Sequence, residues 1–116
     1  MDNIPLIIAA TEEAERLVSV VCGTVAFKPS DYRKLRALAT DLQRQEDANL
    51  SLFGRKLSEM YKHAEKYAEL ITRYPLHSRP VRKVCEAAQR TMATIERVGE
   101  RLEADVYRRA GEKYGN

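Results

Sequence analysis

Between residues 53 and 71 the chain reads FGRKLSEMYKHAEKYAELI, which sets Phe53, Leu57, Met60, Ala64, Tyr67 and Ile71 at steps of four and three. That spacing places six apolar side chains on one face of an α-helix and leaves Arg55, Lys62, Glu65 and Lys66 on the other. A face of this kind must be buried against another helix, so the stretch demands partners elsewhere in the chain.

Two further segments repeat the pattern. The first runs from about residue 4 to 27 through Ile7, Ala10, Ala14, Leu17, Val21 and Val25, with Asp2 or Asn3 as its cap, Pro5 in its first turn and Gly23 weakening its last turns. "KPS" breaks it: Pro29 disfavours helix at Lys28, and Ser30 can cap the next helix. The last runs from about 79 to 110 through Val81, Cys85, Ala88, Met92, Ile95, Gly99, Leu102 and Val106, and frays near Gly111. No strand-type alternation occurs, so the expected class is all-α, one helical domain over residues 1–116.

The middle segment decides the architecture. From Asp31 it shows Tyr32, Leu35, Ala39 and Leu42, then takes two four-residue steps through Glu46 to Leu50 before resuming the stripe. Read as a stutter, this gives one helix over 31–74. The chain is then a long antiparallel helical hairpin, coiled-coil-like, with an N-terminal helix as its third member. Read as a break near 47–51, capped by Asn49 or Ser51, it gives a compact four-helix bundle; the first reading is preferred because "QEDANLSLFG" holds no proline. "YPLHSRP" is the clearest turn, with Pro75 ending a helix, Ser78 able to cap, and Pro80 suited to a first turn.

Antiparallel counting around that turn sets Tyr67 opposite Ala88, Ala64 opposite Met92, Met60 opposite Ile95, Leu57 opposite Gly99 and Phe53 opposite Leu102. Large residues meet small ones in most layers, as a close-packed seam requires. Farther out, Glu46 falls opposite Arg109. Counting around "FKPS" sets Val21 opposite Leu35, Leu17 opposite Ala39 and Ala14 opposite Leu42. In the long-hairpin arrangement the two-helix ends bury too little surface, and a homodimer through a four-helix region is expected to cover them.

Little here suggests chemistry. His63 flanks the seam, and "HAEK" does not match the His, Lys and Gly pattern of a phosphorelay helix. No Glu-x-x-His pair, Gly-rich phosphate loop or nucleophile elbow is present, so no catalytic residue, metal or cofactor is assigned and the chain is read as non-enzymatic. Cys22 and Cys85 lack metal-ligand or redox spacing and are read as reduced thiols in apolar packing. With them, the lack of a basic n-region and of a membrane-length apolar run gives a cytoplasmic expectation, with no membrane contact.

Charge supplies the functional signal. The net charge is +3, but residues 79–116 hold nine bases against six acids, while residues 1–27 hold four acids and Arg16. Arg73, Tyr74, His77, Arg79, Arg82 and Lys83 gather at the hairpin tip and are the expected partner-binding residues. The expected task is protein binding that modulates or blocks a partner, as in a small phage- or plasmid-type inhibitor, an adaptor or an assembly factor. The alternative is a nucleic-acid-associated accessory role, with Arg and Lys on phosphates and Tyr74 as a stacking face. A second basic line, Arg90, Arg97, Arg101 and Arg108, is interleaved with Glu96, Glu100 and Glu103, which blunts its field.

Overall fold

A computed structural model describes residues 4–23, 28 and 31–114, with the side chains of 31, 32 and 112–114 excepted. The expected caps at Asp2 or Asn3 and at Ser30, the Pro29 break and the Val25 position lie outside the described residues. Among the described residues four helices pack together: α1 (Ile4–Val21), α2 (Asp31–Gln43), α3 (Ala48–Leu70) and α4 (Arg79–Tyr114).

The segment 31–74 is not one helix. α2 stops at Gln43, and α3 begins after the cap Asp47, whose carboxylate accepts hydrogen bonds from the amides of Asn49 (2.8 Å) and Leu50 (3.2 Å). Two orphan N–H groups of the new helix are thereby satisfied, which is the service an N-cap renders. The cap is Asp47, not Asn49 or Ser51. Glu46 explains why the break wins over the stutter: it would sit in the seam of a continuous helix, but here it lies exposed in the turn. No ion pair joins it to Arg109 among the described residues, so the expected charge pair at the seam's end is absent there.

Breaking at 44–47 folds α2 back along α3. The close approach is at Gly54, where a β-carbon would lie 2.7 Å from the Gln43 backbone nitrogen and 3.0 Å from the Ala39 carbonyl oxygen. No other residue type fits that contact without displacing backbone. The Gln43 side-chain amide reaches the Gly54 carbonyl at 3.4 Å, and farther along Arg36 lies over the Tyr61 ring at 5.5 Å. These contacts run α2 antiparallel to α3 and bury Leu35, Ala39 and Leu42.

α3 and α4 are antiparallel as expected. Nε2 of His63 lies 2.9 Å from Oγ1 of Thr91, within a residue of the anticipated register. At the other end a methyl on Gly99 would touch the Phe53 ring at 3.5 Å, one turn from the Leu57 expected there. α1 is antiparallel to α4, since Ile7 and Thr11 approach Gly99 and Cys22 meets Cys85. Helix directions therefore alternate up, down, up, down. α1 packs on all three other helices, whereas among the described residues no α-carbons of α2 and α4 come within 8 Å of each other. This differs from the expected division, in which the first and third segments cover separate halves of a long central helix.

Two boundaries also move. α1 ends at Val21, because Gly23 adopts φ +82° and its amide turns back to the Val20 carbonyl, a left-handed stop that glycine takes without strain. α4 passes through Gly111 to Tyr114, beyond the fraying expected at 110. The core runs unbroken from Val81 and Tyr67 at one end to Ile7, Leu50 and Leu102 at the other, with Phe53 its largest fully buried side chain. The whole measures 60 × 21 × 20 Å.

Candidate partner-binding site at the α3–α4 turn

α3 ends at Leu70 rather than Tyr74, and residues 71–78 form the turn. Amides of Arg73 and Tyr74 close onto the Leu70 carbonyl at 3.0 and 2.9 Å. Ser78 occupies the cap position of α4, its carbonyl accepting from the Arg82 amide at 3.0 Å. Its hydroxyl is buried and makes no hydrogen bond among the described residues, so Ser78 does not cap with its side chain.

All six residues singled out from the sequence, Arg73, Tyr74, His77, Arg79, Arg82 and Lys83, are exposed at this turn. Arg73 is 3.7 Å from Glu69, a solvent-exposed pair that contributes at most a few tenths of a kcal/mol and leaves the guanidinium free to exchange partners. Two apolar groups accompany the cations: Tyr74 is 44% exposed and Leu76 60%. Leu76 was not expected to matter, although its place between Pro75 and His77 in a short turn, with no stripe to join, was a visible sign.

The second surprise is covalent. Cys22 and Cys85 form a disulfide that ties the end of α1 to α4 beside the turn. The expected pair of separate reduced thiols is therefore incorrect, and the cytoplasmic expectation loses one of its supports, because reducing compartments do not preserve such bonds. The disulfide borders a shallow cleft of about 90 Å³ with Val21, Tyr67, Leu76, Val81 and Arg82. An apolar floor, a guanidinium at the edge and an exposed leucine beside it can hold an apolar side chain flanked by a carboxylate.

His63 lies elsewhere, half-buried between α3 and α4. Burial lowers its pKa from the ordinary 6.5, with Glu59 acting against the shift and Arg90 with it. Its ring nitrogen is engaged by Thr91, which makes it a link between helices. Among the described residues no group of three or more His, Cys, Asp or Glu side chains could hold a metal ion, and no helix is long and apolar enough to cross a membrane. Compared with known proteins, the chain matches no family model, no curated protein and no solved structure.

Proposed function

We propose that this chain is a non-enzymatic protein-binding module that docks the α3–α4 turn on an acidic surface of a partner and modulates or blocks it, as an inhibitor, adaptor or assembly factor does. The observation that carries this reading is the exposure of Tyr74 and Leu76 in one turn, with Arg73 beside them and Arg79, Arg82 and Lys83 exposed on the first turns of α4. Tyrosine and arginine are the residues that most often concentrate binding energy in protein interfaces, and Leu76 adds apolar area beside them. Leu76 favours protein over nucleic acid, since an exposed leucine gains nothing from phosphates. Glu69 and Glu86 within the patch weaken its field for a polyanion.

The test is a photo-crosslinking amino acid placed at position 76 and, as a control, at exposed Ala37 on α2. The expected result is a protein adduct formed from position 76 alone and lost on Arg79→Glu, Arg82→Glu and Lys83→Glu together. Equal adducts from both positions would remove the tip from consideration. Steeply salt-dependent binding of the wild-type chain to DNA or RNA, lost in the same triple variant, would decide for the accessory role instead.

A further inference from the structure

Acids and bases that alternate along the sequence of α4 part company in the fold. Glu96, Glu100 and Glu103 join Glu15 of α1 along a groove between α1 and α4. Arg90 instead lines a groove on the other flank, between α3 and α4, together with Glu59, Lys62, His63, Ala87 and Thr91. At about 330 Å³ this second groove falls within the size range of small-ligand sites.

Its charge is positive and uncompensated. The Lys62 and Arg90 side chains are exposed and make no ion pair or hydrogen bond among the described residues. Glu86, one turn before Arg90, forms no ion pair with it there. The one carboxylate lining the groove, that of Glu59, already lies 3.1 Å from the Lys56 ammonium. A bound cation would be repelled by Lys62 and Arg90, and an apolar ligand would find Ala87 as the only wholly apolar lining residue. An anion gains from both free cations.

The base of the groove is held in place. Thr91 is 8% exposed, and its hydroxyl oxygen lies 2.9 Å from Nε2 of His63. The other ring nitrogen, Nδ1, makes no hydrogen bond among the described residues. Burial holds the His63 pKa below 6.5, with Glu59 of α3 acting against the shift and Arg90 of α4 with it, so the ring is neutral at pH 7. A protonated imidazole donates from both nitrogens. Charging the ring therefore adds a donor that an anion in the groove can accept.

We propose that the α3–α4 groove is an oxyanion site that takes a phosphate group, free or as a monoester, between Arg90 and Lys62 with His63 as the third donor. Phosphate is favoured over carboxylate because it offers three terminal oxygens to three separate donors. His63 stands about two turns from the end of α3, and the site uses none of the residues proposed to dock at the turn.

The test is a titration of the full chain with inorganic phosphate at constant ionic strength, followed by NMR of the imidazole rings. The chain has two histidines, so His77 is the internal control. The His63 signals should shift saturably and the His63 pKa should rise, since bound phosphate favours the charged ring. Lys62→Gln with Arg90→Gln should raise the dissociation constant about tenfold or more, and the Arg79, Arg82 and Lys83 variant should leave it unchanged. Unchanged helical circular dichroism shows that each variant is folded. Tighter binding of phenyl phosphate than of inorganic phosphate assigns the site to a monoester, and the reverse assigns it to the free ion. A His63 ring that gives no saturable response overturns the proposal. So does a response that acetate matches, or one that survives in the Lys62 and Arg90 variant.

Discussion

Replacing both cysteines, Cys22→Ser with Cys85→Ser, opens a covalent ring whose ends are 63 residues apart in sequence. In the chain-entropy treatment a loop of that size removes about 14 cal/mol/K from the unfolded ensemble, or about 4 kcal/mol at 25 °C. Domains of this length are stable by about 6–17 kcal/mol, so the loss is a large fraction of the total. With an unfolding entropy of about 2.1 cal/mol/K per residue, it corresponds to a melting temperature about 17 °C lower. The assay is urea and thermal unfolding of wild type and double variant, each with and without a thiol reductant. Reductant should bring the wild type down to the variant and leave the variant unmoved. The urea slope should also rise, because an uncrosslinked chain exposes more surface when it unfolds. A loss below about 1 kcal/mol, with the wild-type disulfide verified by mass, would refute the reasoning that ring closure restrains the unfolded chain.

Two glycines should respond oppositely to alanine. Gly54→Ala drives a methyl into the α2 backbone and should cost about 1–3 kcal/mol, whereas Gly99→Ala meets only ordinary contacts at 3.5 Å or more and should be neutral or gain up to about 1 kcal/mol from helix propensity; thermal melts of both variants decide. His63 has a folded-state pKa below its unfolded one, so the unfolded chain takes up the proton first. Stability should be complete above pH 6.5 and decline as pH falls from there towards the folded-state pKa, and His63→Gln should flatten that decline in urea midpoints measured between pH 7.5 and 5.

Helical class, the α3–α4 register and the exposed basic turn were legible because each rests on local periodicity or on a proline turn. The break at 44–47 was not. Its signal is a single carboxylate, Asp47, two residues before Asn49, and a stutter through Glu46 satisfies the same apolar spacing. That one choice carried the disulfide with it. On a continuous helix Cys22 would lie level with about residue 35 and Cys85 with about residue 70, some 50 Å apart at the helical rise, roughly ten times the 4.9 Å between their α-carbons. Only folding α2 back on α3 brings the end of α1 to the start of α4. Leu76 was missed for a different reason: exposure in a turn is set by the path of the chain, and periodicity does not report it.

The Cys22–Cys85 bond also sorts the chain mechanically. Its 62 intervening residues, which include α2, α3 and the exposed turn, are closed off from any load applied outside the ring. Tension entering through α1 passes directly across the sulfurs into α4, and only the segments on either side can lengthen. Reduction would release roughly 210 Å of hidden contour, at about 3.4 Å per residue. Under pull the turn can therefore stay folded while α1 and the part of α4 beyond Cys85 are drawn out.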